Sequence, residues 1–122
     1  MKLRVLAALL LAVNSIKAAE LSREQWSNRF ARALPASLCE EHYYFRQCFR
    51  ITAAQCEATV LSATRDCLID LGTQIPLVFR TKRQYEDAGK LVGQCAGTTV
   101  ETKFTPHKLS SDKCRDPNAW RR

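Results

Sequence analysis

Six cysteines are the residues with the clearest chemistry in this 122-residue sequence. No two of them have the C-x-x-C spacing of a redox motif or the close pairs of a zinc site. An even number of cysteines in an exported chain is typical of disulfides, so we expect three bonds and no nucleophilic thiol. The six residues are Cys39, Cys48, Cys56, Cys67, Cys95 and Cys114.

Two histidines offer the other familiar route to acid–base or metal chemistry. His42 follows Glu40 and Glu41, and a carboxylate beside a histidine can act as a base or bind a metal. Neighbouring residues on a helix point in different directions, so these side chains do not converge by themselves. His107 lies in a predicted loop. The sequence also has none of the common nucleophile, metalloprotease or phosphate-binding motifs, so we predict no catalytic residue, metal or cofactor.

An aromatic stretch, HYYFRQCFR at residues 42–50, is the most unusual segment. Its four rings fall within seven positions and cannot all lie on one side of a helix. Two interpretations remain open: the rings belong to a core covered by other elements, or some of them form a surface that binds a partner. Aromatic residues and arginine are the types enriched in binding hot spots. The candidate partner-binding residues are Tyr43, Tyr44, Arg46, Phe49 and Arg50.

The N-terminus has the three parts of a secretory signal. A short start with two basic residues, Lys2 and Arg4, precedes an uninterrupted apolar run at 5–13, and Ala18 is a small residue suited to cleavage. A run of this length is too short to span a membrane as a helix, which needs about 20 residues. We therefore predict a signal peptide at 1–18, a single mature domain at 19–122, and a secreted or periplasmic location.

Charge excludes one class of function. After removal of the predicted signal, the chain has 16 basic and 12 acidic residues, which gives a net charge of +4. The basic residues are scattered, whereas a nucleic-acid-binding protein usually carries a basic stripe. We therefore expect no nucleic-acid partner, and because no other apolar run in the sequence approaches membrane length, we also expect no membrane span.

Helix-start signals and apolar periodicity predict a mostly all-α domain. A Ser or Thr followed three places later by Gln or Glu occurs at Ser22, Ser37, Thr52 and Thr81, each before a periodic run. These runs predict helices over about 23–34, 38–50, 53–71 and from 82 onward. Residues 73–80 should cross the core in extended form, residues 98–104 fit either a strand or a helix, and the rest is a loop-rich tail. The expected fold is about four helices around an antiparallel hairpin of the second and third.

The hairpin suggests a disulfide pattern. Cys48 and Cys56 lie equally far from its turn, which predicts a Cys48–Cys56 bond, with Cys39–Cys67 and Cys95–Cys114 completing the set. Cys39 and Cys48 fall on opposite sides of a regular helix, so Cys39 has a second option. It would then pair with Cys95 or Cys114.

Function is predicted by elimination. A small, rigid, exported domain without a catalytic motif fits a binding protein that acts on another protein, as an inhibitor, immunity or accessory factor. An alternative is a carrier of a small apolar ligand in an interhelical cavity. A small secreted enzyme or toxin is the third class.

Overall fold

The computed structural model describes residues 20–120. The predicted signal peptide at 1–18 lies outside the described residues. The predicted class, a mostly helical domain with three disulfides, is confirmed. In chain order the elements are β1 Leu21–Ser22, α1 Arg23–Leu38, α2 Tyr44–Cys48, α3 Ala53–Asp70, β2 Val78–Phe79, α4 Lys82–Phe104 and α5 Asp112–Arg115.

Three of the four predicted helix starts are confirmed by reciprocal hydrogen bonds. At α1, the Ser22 hydroxyl accepts from the Gln25 backbone N–H at 3.1 Å, and the Gln25 side chain accepts from the Ser22 N–H at 3.0 Å. The same capping box begins α3 at Thr52 and α4 at Thr81. Ser37 is different, because it lies inside the last turn of α1 and no helix begins there.

Helix α1 runs four residues beyond the predicted end. The prediction placed its end before Pro35, but the helix continues through this proline to Leu38. The ring is buried, and the Pro35 carbonyl still accepts the ordinary helical hydrogen bond from the Cys39 N–H at 2.9 Å, so burial of the ring offsets the loss of the proline N–H.

The second helix was predicted to span 38–50, but α2 is only five residues long. Consequently the antiparallel hairpin at the centre of the fold is not the predicted one. Helix α3 is the central element, and α1 and α4 are the two helices packed most extensively against it. The start of α1 lies beside the end of α3 and Pro35 lies beside Ala54, so α1 and α3 run antiparallel.

The ambiguous segment 98–104 is helical and forms the end of α4. The segment predicted to be extended, residues 73–80, begins with the end of a short 3-10 helix, Gly72–Gln74, and is non-helical only from Ile75 onward, where Ile75 and Phe79 are buried. Its last part also forms β2, which pairs antiparallel with β1 in the register Leu21–Phe79 and Ser22–Val78. This short sheet was not predicted, since two-residue strands leave no alternating pattern.

All three predicted disulfide pairs are wrong, as is the second option for Cys39. The bonds are Cys39–Cys56, Cys48–Cys114 and Cys67–Cys95, and they use all six cysteines. The extension of α1 carries Cys39 to the start of α3, where Cys56 lies. Packing of α3 on α4 brings Cys67 to Cys95, which leaves Cys48 to the C-terminal segment.

Candidate functional site

The C-terminal segment is fixed across α2 by its backbone and by one disulfide. The Arg50 N–H donates to the His107 carbonyl at 2.9 Å, and the Leu109 N–H donates to the Cys48 carbonyl at 2.8 Å. The Cys48–Cys114 bond lies beyond this pairing. Residues 109–120 are thereby held against the aromatic stretch.

An aromatic cluster lies beneath this segment. Tyr44 meets Phe49 edge to face with 5.3 Å between ring centroids, and Phe49 lies 6.1 Å from Phe104 of α4. Phe45 packs against both phenylalanines. Such ring pairs add about 0.5–1.5 kcal/mol each beyond the burial of apolar area. The cluster makes a rigid base for the surface above it.

A hydrogen-bonded triad lies at the edge of the cluster. The Tyr44 hydroxyl donates to Glu101 Oε1 at 2.7 Å, and Lys108 Nζ donates to the same oxygen at 2.8 Å. The lysine also lies 5.7 Å from the Tyr44 ring centroid and 5.9 Å from that of Phe49. Burial, followed by the bond to Glu101, raises the pKa of Tyr44. The bond to Glu101 raises the pKa of Lys108 above its usual range.

We expect this triad to make stability fall at alkaline pH. Both raised groups hold their protons more tightly in the folded chain, so their contribution is complete below the usual pKa values of 10.0 and 10.5. It is lost as the pH rises through the folded pKa values. Tyr44→Phe removes the tyrosine's share, so unfolding free energies measured from neutral pH to about pH 11 should fall less steeply than in wild type. Tyr85→Phe is the matched control, and an equally steep fall in Tyr44→Phe would contradict the assignment.

Above the cluster lies a groove with two lobes, which we call the aromatic groove. The lobes have volumes of about 280 and 430 Å³ and share Tyr44, Phe45 and Pro117. A Cβ at Gly93 or Gly97 would meet nothing within 4 Å, so the bare α4 backbone forms the floor of the larger lobe. The first lobe is completed by Ser37, Leu38, Tyr43 and Trp120, and the second by Gly93, Gln94, Gly97, Thr98 and Glu101.

Trp120 is held in place as one wall of this groove. Its indole N–H donates to the Lys113 carbonyl at 2.9 Å, and Lys113 Nζ lies 4.6 Å from the ring centroid. The ring also lies 6.0 Å from the Tyr44 ring. A tryptophan fixed in this way presents a preformed apolar surface.

The five predicted partner-binding residues are not brought into one patch. Tyr43 is half-buried and lines the aromatic groove, whereas Phe49 is only 3% exposed and belongs to the core. Tyr44 is largely buried and contributes its ring to both lobes. The Arg46 guanidinium lies near the Cys39 carbonyl at 3.5 Å, and the side chain of Arg50 is exposed while its backbone N–H donates to the His107 carbonyl.

Sequence reasoning missed the residues that α4 and the tail contribute to the groove. Glu101 and Lys108 carry no motif. The four-residue spacing of Gly93 and Gly97 indicates that another element can approach this helix closely, but it does not indicate which element does so. His42 lies exposed in the turn before α2. Within residues 20–120 no cluster of histidine, cysteine and carboxylate residues has a metal-binding arrangement, and no helix there is long and apolar enough to cross a membrane.

Fold and site together define a small, disulfide-stabilised helical protein with a preformed surface groove. A family described as "T2SS substrate NttA" matches residues 20–108, so the chain belongs to this family. The family is one of type II secretion substrates, and the predicted secreted location is confirmed. The matched range includes Tyr44, Glu101 and Lys108 but ends before Cys114 and Trp120. No curated protein and no solved structure matches the chain.

Proposed function

We propose that this secreted protein acts by binding another protein, and that the aromatic groove is the contact surface. The observation that carries the proposal is the groove's construction from a fixed Trp120 ring, the Tyr43 and Tyr44 rings and bare α4 backbone. Because these parts are already in position, an occupant loses little of its binding free energy to ordering them. An inhibitor, immunity or accessory role is consistent with such a surface.

The occupant we propose is an apolar segment of the partner. Glu101 is the charged side chain of the groove lining, and it already accepts hydrogen bonds from Tyr44 and Lys108. A charged group arriving there would compete with these bonds, whereas an apolar side chain would not. At Gly93 and Gly97, partner backbone could approach α4 closely.

The alternative, a carrier of a small apolar ligand between the helices, has less support. The space between α3 and α4 is filled by side chains that are fully excluded from solvent, namely Val60, Ala63, Val92, Ala96 and Val100. The aromatic groove is open to solvent instead; its smaller lobe is just below the usual volume range for ligand pockets, about 300–1,000 Å³, and its larger lobe is in the lower half of that range.

Filling the groove tests the proposal. Gly97→Leu projects a side chain into the larger lobe and also favours the helix by about 1 kcal/mol, so the variant should fold. Tagged wild-type protein is used to capture partners from the host's periplasm or medium, and each purified partner is then titrated by calorimetry. We expect Gly97→Leu to weaken binding by roughly tenfold or more. Thr102→Leu, an exposed α4 position outside the groove lining, should bind like wild type.

Two outcomes would refute this assignment. A partner that binds Gly97→Leu as tightly as wild type does not occupy the aromatic groove. A small apolar molecule that is extracted from natively purified wild type, and is absent from Gly97→Leu, would support the carrier function instead.

A further inference from the structure

A second groove lies between α1 and α3, and we call it the arginine groove. Its two lobes, of about 580 and 440 Å³, meet at Ala31, Arg32 and Arg65, which line both. No residue of its lining belongs to the aromatic groove. All of its lining lies within the range that matches the family.

The floor of the arginine groove is apolar and made largely of small side chains. Ala31 is buried, while Ala54 and Ala58 of α3 project no further than a methyl group, so an incoming element can approach the helices closely. Ile69 lies at the other end and is 78% exposed, so together with Leu68 it extends the apolar floor of the groove.

The two arginines stand at the middle of this floor without acidic partners. Arg32 Nε donates to the Asn28 carbonyl of its own helix at 3.3 Å. Among the described residues, neither Arg32 nor Arg65 forms an ion pair with a carboxylate. A guanidinium presents donors in a fork that matches a carboxylate, so two unpaired arginines at one place favour an acidic occupant.

The length of the groove indicates the form of that occupant. On α3 the lining extends from Ala54 to Ile69, about 22 Å or four helical turns. A concave, apolar channel of this length between two helices is the usual seat of an amphipathic helix. We propose that the arginine groove binds an acidic amphipathic helix of a partner protein, with its apolar stripe on the floor and its carboxylates on Arg32 and Arg65.

Charge along the groove also fixes the pattern of the helix. The acidic side chain of the lining, Glu57, lies in the lobe near Ala54, away from Ile69. The bound helix therefore carries its carboxylates at mid-length and none opposite Glu57, where like charges would repel each other. Its largest apolar side chains cover Ile69.

The probe for this proposal is a labelled helical peptide of about 15 residues, with leucines on one face and two glutamates at mid-length. Its binding to the full mature chain is followed by fluorescence anisotropy. We expect Arg32→Glu/Arg65→Glu to weaken binding by roughly tenfold or more, and a peptide with lysines in place of the glutamates to restore it. Arg29→Glu/Lys90→Glu, which changes the net charge equally at exposed positions outside the lining, should bind like wild type.

A variant that leaves the charges intact tests the contribution of the apolar floor to peptide binding separately from that of the arginines. Ala58→Trp fills one lobe at an exposed position and should also weaken peptide binding, while Gly97→Leu should not. Peptide affinity that is the same in Arg32→Glu/Arg65→Glu as in wild type would overturn the proposal. So would arginine-dependent binding to vesicles rich in anionic phospholipid in the absence of any peptide binding. None of these readouts depends on the aromatic groove, so the two proposals fail separately.

Discussion

Replacing both Cys48 and Cys114 with alanine is expected to lower the free energy of unfolding by about 4 kcal/mol, because this disulfide joins residues 66 positions apart. The same chain-entropy argument gives about 3 kcal/mol for Cys39–Cys56, whose residues are 17 apart. A domain of this size has about 5–15 kcal/mol in total, so the loss is a large share. Equilibrium urea unfolding of Cys48→Ala/Cys114→Ala measures it.

The same change should act locally on the aromatic groove. Without the bond, residues 109–120 keep only non-covalent contacts with α2, chiefly the Leu109–Cys48 hydrogen bond and the packing of the Trp120 ring near the Tyr44 ring. The Trp120 wall should then become mobile, and partner binding at the aromatic groove should be lost. Peptide binding at the arginine groove should remain, since none of its lining belongs to this segment. Cys39→Ala/Cys56→Ala is the control, and a larger destabilisation in that variant than in Cys48→Ala/Cys114→Ala would contradict the ranking.

Phe79→Ala is expected to cost about 3–5 kcal/mol of stability. Phe79 is completely buried, and its ring stacks on Trp26 at 4.9 Å and on Tyr85 at 5.0 Å. It therefore joins the extended segment to both α1 and α4, and its removal leaves a cavity that three elements would have to close. Chemical denaturation of the variant gives the free energy of unfolding directly.

Leu77→Ala is the matched control for this measurement. Leu77 lies two residues away in the same extended segment but is 71% exposed. Its replacement should change stability by no more than about 0.5 kcal/mol. If Phe79→Ala also lowered the free energy of unfolding by no more than about 0.5 kcal/mol, the segment would not pack on the helices as described.

Local signals in the sequence predicted local structure well. The capping boxes at Ser22, Thr52 and Thr81 mark real helix starts, because each depends only on residues three positions apart. Pro35 misled the prediction for the same reason. Its effect on α1 is decided by burial against α3, which the local pattern does not contain.

The disulfide pairing and the site depended on distant contacts. The predicted Cys48–Cys56 bond followed from a regular second helix, and once α2 shortened, the geometry behind that pairing was lost. Composition drew attention to Tyr43 and Tyr44, but the Tyr44–Glu101 bond joins residues 57 positions apart. No spacing rule in a single sequence relates such positions.

The disulfides also overlap along the chain. The loop of chain closed by the Cys39–Cys56 bond overlaps the loop closed by the Cys48–Cys114 bond. Every peptide bond from Cys39 to Cys114 therefore lies inside at least one closed loop. If an extracellular protease cut the backbone once anywhere in that range, including beside the exposed Leu77, both fragments would stay joined through sulfur. A secreted protein built in this way can be nicked without coming apart.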